Sequence, residues 1–304
     1  MTTLIATSVV RGSRQGESHG GVYLVDIDRQ RVAQVVDWNT ADIDWQGRGW
    51  DRGLRGIAFD MGKVFIAASD ELFIFDSEFN KLASYRSPHL KHCHEIYRYK
   101  RRLYLTSTGF DSVLGFDLDE HKFTWALSIG TAGDGFQAIP FAPGAVDGPS
   151  PSNRLHLNNV HCTRDGMYIS GLHCNGLLRY SGKRIERVVP LPPGCHNAQP
   201  FMNGVLFNDT AADTVRFICA DKQRAFHVPY YETNLLTHTE FDDSKTARQA
   251  FGRGLCDLGD GVVAAGSSPS TITLHDFESM KTTLSINLSM DVRNAIHGLE
   301  VWPY

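Results

Sequence analysis

Three histidines of the sequence, His94, His196 and His297, follow one another at intervals of about one hundred residues. The first two have matching settings, because Cys93 precedes His94 and Cys195 precedes His196, each pair ahead of a turn and an apolar run. The third opens the C-terminal stretch HGLEVWPY. Three neutral imidazoles can bind a transition metal and leave a coordination position for water or substrate. The spacing therefore predicts a catalytic metal site, provided that the fold brings the three side chains together.

A repeated β pattern surrounds these histidines. Helical periodicity is nearly absent, and short apolar runs alternate with turns rich in Gly, Asp, Asn or charged residues. Five segments align without a gap, each with the pattern strand, turn, strand: RGIAFDMGKVFIA, HEIYRYKRRLYLT, NNVHCTRDGMYIS, HNAQPFMNGVLFN and RGLCDLGDGVVAA. Third and fourth strands follow most of them, and four strands make one blade of a β-propeller.

The last segment, HGLEVWPY, supplies only the opening strand of a sixth unit. Strands that could complete it stand at the N-terminus, in TTLIATSVV, GGVYLVDID and RVAQVVDW. Pairing the last strand with the first removes open sheet edges, which otherwise favour aggregation. The sequence therefore predicts an all-β, six-bladed β-propeller of one domain, residues 1–304, whose C-terminal strand pairs into the N-terminal blade.

The first residue of each aligned segment defines one position per blade on a ring around the propeller channel. These six residues are Arg55, His94, Asn158, His196, Arg253 and His297. Because histidine occupies every second blade, we expect the three imidazoles to meet on one divalent ion. Zn²⁺ is the first choice, and Fe²⁺, Mn²⁺ and Cu²⁺ are alternatives. The alternative interpretation is that these histidines are buried and hydrogen bonded to backbone carbonyls.

Other side chains near the ring are candidates for binding or catalysis. Arg55 and Arg253 each precede a glycine, and a guanidinium group there would grip a carboxylate or phosphate, which predicts a small anionic substrate. Alternatively, each arginine bonds to carbonyls of a neighbouring blade. Asn158 is a further candidate catalytic residue, and His161 is the candidate general base or fourth ligand. His156, two residues before Asn158, is another candidate for the channel mouth.

Three long insertions precede the blades that lack a ring histidine, at 39–53, 130–154 and 230–252. Loops of this length in a compact domain usually form lids or binding loops, although disordered surface loops are the alternative. Their aromatic residues would line such a lid: Trp45, Trp50, Phe136, Phe141, Tyr230 and Tyr231.

Composition argues against several classes of partner. The formal net charge is −4 and basic residues are scattered, which predicts no nucleic-acid partner. The longest apolar runs are strand-sized, so we expect no transmembrane helix, no membrane partner and no signal peptide. Six cysteines without CxxC spacing favour reduced thiols and a cytoplasmic location.

Three stretches resemble a bacterial propeller family of unknown function: NRLHLNNVHCTRDGMYISG, GCHNAQPFMNGVLFND and GRGLCDLGDGVVAAG. This resemblance covers roughly residues 90–304 and implies the fold alone.

The layout of the ring also resembles that of the peptidyl-α-hydroxyglycine α-amidating lyases. These are six-bladed propellers in which three histidines from alternating blades bind Zn²⁺, and Arg and Tyr complete the catalytic set. The resemblance implies the three ring histidines as Zn²⁺ ligands and Arg55 as the catalytic arginine. In the blade that carries the lyase tyrosine, this sequence has Asn158 and His161.

The favoured function is a metal-dependent lyase or hydrolase that acts on a small anionic substrate. One alternative is an iron or copper oxygenase that uses the same three histidines. Another is a non-catalytic propeller that binds a partner, since propellers serve many unrelated functions.

Overall fold

The structure is a computed structural model that describes residues 2–14, 16–39, 53–242 and 247–304. In these ranges the strands form six antiparallel sheets, and the fold is the six-bladed β-propeller that the sequence repeat predicts. The same ranges contain two 3₁₀ helices, Thr233–Leu235 and Thr239–Phe241. No helix in the described residues has the length and apolar character needed to cross a membrane.

The first sheet contains both the first and the last strand of the described chain. Its members are β1 (Thr3–Val10), β2 (Gly21–Asp26), β3 (Arg31–Asp37) and β25 (Asn294–Val301), in the order β25-β1-β2-β3. In the antiparallel pair of β1 and β25, Leu4 lies opposite Val301. The predicted closure of this blade by the C-terminal strand is therefore confirmed.

The next three sheets follow chain order. One consists of β4 (Ile57–Asp60), β5 (Lys63–Ala67), β6 (Glu71–Phe75) and β7 (Lys81–Arg86). A five-stranded sheet consists of β8 (Ile96–Tyr99), β9 (Arg102–Ser107), β10 (Ser112–Asp117), β11 (Lys122–Ala132) and β12 (Gly135–Phe141). The following sheet consists of β13 (Leu157–Thr163), β14 (Gly166–Gly171), β15 (Gly176–Tyr180) and β16 (Ile185–Pro190).

The last two sheets are also in chain order. One consists of β17 (Cys195–Phe201), β18 (Gly204–Asp209), β19 (Thr214–Ile218) and β20 (Gln223–His227). The other consists of β21 (Phe251–Gly259), β22 (Val262–Ser268), β23 (Thr271–Asp276) and β24 (Lys281–Asn287).

Burial differs between the inner and the outer strands of a blade. In β5 and β6 the side chains of Val64, Ile66 and Phe73 are almost completely buried, whereas β7 is largely exposed. The inner strands are therefore continuous apolar runs of β-branched and aromatic residues, which favour strands buried on both faces. This is why the first three strands of a blade are easier to find in the sequence than the fourth.

The chain divides into two compact units. Unit 1 comprises Met1–Arg55, Ala212–Phe217 and Lys222–Tyr304, and unit 2 comprises Gly56–Ala211 and Ile218–Asp221. In unit 2, one cluster of buried side chains joins the β4–β7 blade to the β8–β12 blade. In unit 1, a second cluster joins β1 and β25 to the β21–β24 blade. The prediction of a single domain over residues 1–304 stays a prediction.

The three insertions differ in structure. Most of the first, with Trp45 and Trp50, lies outside the described residues. Much of the second is a β-hairpin rather than a loop, because β11 runs to Ala132 and β12 pairs with it as a fifth strand. The third contains the two 3₁₀ helices, and within it Tyr230 is exposed while the Tyr231 hydroxyl contacts Oγ1 of Thr271 at 3.0 Å.

Candidate metal centre

Three histidine side chains of unit 2, those of His94, His156 and His196, lie together. One nitrogen from each ring can be chosen so that all three atoms lie within 4.8 Å of one another. The ring centroid of His94 is 5.2 Å from that of His156 and 6.4 Å from that of His196, and the third centroid distance is also 6.4 Å. His94 and His196 are buried, and His156 is half-buried. A group of this kind could hold a metal ion.

The orientation of His94 is fixed by hydrogen bonds at one ring nitrogen. Nδ1 lies 2.8 Å from the carbonyl oxygen of His92 and 2.8 Å from Oγ1 of Thr108. The Thr108 hydroxyl donates its proton to the carbonyl of Leu157 at 2.5 Å, so it accepts from His94. Nδ1 therefore carries the proton, and Nε2 is the nitrogen with the lone pair that a metal requires.

His156 ends a short segment, residues 152–156, which we call the strap. The carboxylate of Asp111 accepts hydrogen bonds from the backbone N–H groups of Arg154 at 2.7 Å, Leu155 at 3.2 Å and His156 at 3.0 Å. His156 has a φ of 51°, in the left-handed region. The strap also passes close to Gly171, where an added Cβ would lie 2.5 Å from the Leu155 oxygen and 2.7 Å from that of His156. One carboxylate and one glycine thus hold this histidine in place.

His196 is placed by an irregularity in β17. It pairs with Asn208, and the register then shifts before Gln199 pairs with Leu206. Asn197, in the shifted stretch, has a φ of 53°. A bulge of this kind re-aims the side chains around it. The side-chain amide of Asn197 donates a hydrogen bond to Oε1 of Glu95 at 2.9 Å. This bond links the residue after His196 to the residue after His94.

The three imidazoles suit a metal that accepts nitrogen ligands. In a tetrahedral zinc site with bonds of about 2.0–2.1 Å, the ligand nitrogens are about 3.4 Å apart. The three ligand nitrogens lie within 4.8 Å of one another, so small side-chain rotations would bring them to the spacing of such a site. Three neutral ligands leave at least one position of such an ion for water or a substrate atom.

Two of the three predicted metal ligands, His94 and His196, are brought together. The third histidine that lies with them in unit 2 is His156. His297 lies on β25 of unit 1, where its Nε2 is 2.6 Å from Nη1 of Arg253. Because a guanidinium group can only donate, Nε2 of His297 accepts this hydrogen bond and does not present its lone pair to a metal in this arrangement. The role of His297 as a ligand stays a prediction.

Two predicted catalytic residues, Asn158 and His161, make different contacts. Asn158 donates its amide to the carbonyl of Cys195 at 2.8 Å and accepts from the hydroxyl of Ser170 at 3.1 Å, which joins neighbouring blades of unit 2. The ring of His161 lies 4.3 Å from that of Tyr97, measured between centroids. Burial lowers the pKa of His161 to about 4, so this imidazole is neutral at physiological pH. The catalytic roles of both residues stay predictions.

The two predicted arginines lie in unit 1. Arg55 is buried, and its carbonyl accepts a hydrogen bond from the Thr7 hydroxyl at 2.6 Å. Arg253 is also buried, and its guanidinium group lies over the ring of Phe251 as well as beside His297. Their binding of an anionic substrate stays a prediction.

His156 is the ligand candidate that the repeat alone does not single out. It lies two residues before the ring position of its blade, in LHLNNVH, and His92 stands at the same distance before His94, so the offset does not mark His156 out. Its position depends on Asp111, which belongs to the preceding blade. In the sequence, two histidines stand close to Asn158. They mark this segment as a candidate but do not show whether His156 or His161 is the ligand.

The fold is similar to that of several solved structures at identities that show the fold alone. A crystal structure of a protein of unknown function from Bacteroides caccae has a TM-score of 0.60 at 9% identity and covers 100% of both chains. A chain in the crystal structure of a nidogen/laminin complex has a TM-score of 0.58 at 10% identity, over 99% of this chain and 98% of that one. No protein-family model and no curated protein matches the sequence, so the two family resemblances stay resemblances.

Proposed function

We propose that the protein binds one divalent transition-metal ion through His94, His156 and His196, and that it is a metal-dependent enzyme. The observation that supports this proposal is the convergence of three imidazoles, with ligand atoms within 4.8 Å of one another. A structural role would not need three imidazole rings to face one another, since each could be satisfied separately by backbone groups.

The chemistry that such an ion supplies is Lewis-acid activation of a substrate oxygen or of a bound water. The residues around the ligands set the protonation of one and the position of another. Thr108 and the carbonyl of His92 keep the proton of His94 on Nδ1, and Asp111 holds the backbone of His156. The hydrogen bonds at Nδ1 orient the imidazole of His94 and raise the basicity of its Nε2, whereas Asp111 acts on the position of His156 alone.

The ligand set favours Zn²⁺ and lyase or hydrolase chemistry. The non-haem iron oxygenases typically use two histidines and a carboxylate, whereas the group found in the described residues contains imidazoles alone. The carboxylate of Asp111 contacts the strap, but its oxygens already accept backbone hydrogen bonds. Oxygenase activity with iron or copper is therefore the second choice. The anionic character of the substrate rests on the arginines of unit 1 and needs a test of its own.

The proposal is tested by metal content. Protein produced without an affinity tag is stripped with a chelator, dialysed against Zn²⁺, Fe²⁺, Mn²⁺ or Cu²⁺, and analysed for bound metal. We expect about one ion per chain in the wild type and strongly reduced occupancy in His156→Ala. The matched control is His173→Ala, because His173 is an exposed histidine of the same unit outside the cluster.

The same measurement separates the two possible third ligands. If His297→Ala keeps the metal and His156→Ala loses it, the strap histidine is the ligand. Full occupancy in His156→Ala, with the protein folded by circular dichroism, would contradict the proposal.

A further inference from the structure

Three guanidinium groups of unit 1 surround the aromatic ring of Phe251. The Cζ atoms of Arg11, Arg248 and Arg253 lie 5.4, 5.0 and 4.9 Å from the ring centroid. The three arginines come from different parts of the chain. Arg253 lies on β21 with Phe251, Arg248 precedes that strand, and Arg11 follows β1. The fold therefore gathers three positive charges against one apolar ring.

All three groups carry their charge at neutral pH. Burial and the neighbouring charge of Arg248 lower the pKa of Arg11 to about 10, which still leaves it protonated. Like charges held this close repel one another, and partial burial strengthens the repulsion because water screens it less. Asp213 already pairs with Arg248, and a further anion at the cluster would offset more of this repulsion.

The cluster is accessible at one side. The side chain of Arg248 is 29% exposed, and its Nη1 forms an ion pair of 2.7 Å with Asp213, whose side chain is 42% exposed. On the buried side, Nη1 of Arg253 contacts Nε2 of His297. The cluster therefore meets solvent at the side chain of Arg248.

The chemistry of the cluster specifies the type of anion. A guanidinium group is a planar fork of five N–H donors that matches the oxygen pair of a carboxylate or phosphate. A group that lies over an aromatic ring is also held in a limited range of orientations, so less freedom is lost when it binds. Three guanidinium groups against one ring favour an anion with more than one negative charge.

We propose that Arg11, Arg248 and Arg253 form a binding site in unit 1 for a small multivalent oxyanion, either a phosphate or a dicarboxylate. The argument for this site uses residues of unit 1 alone and does not rest on the metal proposed for unit 2.

The test is isothermal titration calorimetry of the chelator-treated protein with inorganic phosphate and, separately, with malonate, at constant ionic strength. We expect saturable binding of at least one of the two anions and at least tenfold weaker binding to Arg248→Gln. Saturation by phosphate alone identifies a phosphate site, and saturation by malonate alone identifies a carboxylate site.

The matched control is Arg29→Gln, which makes the same change in net charge at an exposed arginine of unit 1 that pairs with Asp26. It should bind the anion as the wild type does. If Arg248→Gln does not fold, Arg248→Lys replaces it, because lysine keeps the charge and loses the fork, and weaker binding is again expected. Absence of saturable binding by both anions overturns the proposal. Equal affinity in the wild type and the folded Arg248 variant also overturns it.

Discussion

Thr108 connects His94 to the strap that carries His156. Its hydroxyl accepts the Nδ1 proton of His94 at 2.8 Å and donates to the carbonyl of Leu157, the residue that follows His156, at 2.5 Å. One hydroxyl group therefore sets the tautomer of one candidate ligand and positions the backbone beside another. Because it makes both contacts from a buried site, water cannot easily replace it.

Replacing Thr108 with valine should weaken metal binding without removing a ligand. The substitution keeps the shape of the side chain but removes the hydroxyl, so His94 loses one acceptor for its Nδ1 proton. We expect the metal dissociation constant, measured by chelator competition, to rise about 10- to 100-fold, the usual effect of losing such a partner. Thr108→Ser should restore most of the affinity. Wild-type affinity in Thr108→Val would show that the hydroxyl does not position the ligand.

Gly171 should tolerate no side chain, because the strap passes directly over it. In Gly171→Ala the new Cβ would lie 2.5 Å from the Leu155 oxygen, so the strap must move. We expect both a lower melting temperature and lower metal occupancy. Gly144→Ala is the control, since its added Cβ meets no atom within 4 Å. If the two variants melt alike and bind metal alike, the close approach at Gly171 is not important.

The C-terminal strand should be essential for folding. Leu299 of β25 is buried in the core cluster of unit 1, and Leu299, Glu300 and Val301 pair with β1. Deleting residues 297–304 should therefore abolish the cooperative melt, followed by circular dichroism. Deleting only Pro303 and Tyr304, which are exposed, should leave the melt unchanged. An unchanged melt after the longer deletion would contradict the closure of the blade.

Acid should destabilise the protein partly through His275. Burial lowers the pKa of this completely buried side chain to about 4, from an ordinary value near 6.5. Between these two values the unfolded state binds more protons, so the contribution to stability is full above pH 6.5 and is lost as the pH falls towards 4. The loss amounts to about 3 kcal/mol.

The measurement is urea unfolding at several pH values. His275→Gln should remove part of the acid dependence between pH 6.5 and 4, because glutamine does not titrate, and the part due to His161 should remain. His173→Gln, which replaces an exposed histidine, should keep the wild-type slope. Parallel curves for the wild type and His275→Gln would show that His275 is not the titrating group.

The blades could be predicted from the sequence because each blade uses the same strand-turn-strand segment, and His94 and His196 were found because they share one position in it. His156 could not be chosen, since its place depends on a carboxylate from another blade and on a left-handed backbone conformation. The β11–β12 hairpin does not show in the sequence as a pair of strands, because Gly130, Gly133 and Gly135 weaken the strand pattern. Local repetition is therefore visible in sequence, whereas contacts between segments are not.

Of the three candidate ligands, His196 lies on a paired strand and His94 lies directly before one, whereas His156 ends a strap whose backbone depends on the carboxylate of Asp111. The strap lies outside the strands, and its backbone is held through that carboxylate and through hydrogen bonds from Leu172 and His173, so it can open without unfolding a blade. Metal uptake and release would then proceed through brief openings of the strap. The exchange rate of the ion would follow that opening, and amide hydrogen exchange at Arg154, Leu155 and His156 would slow when the ion is bound.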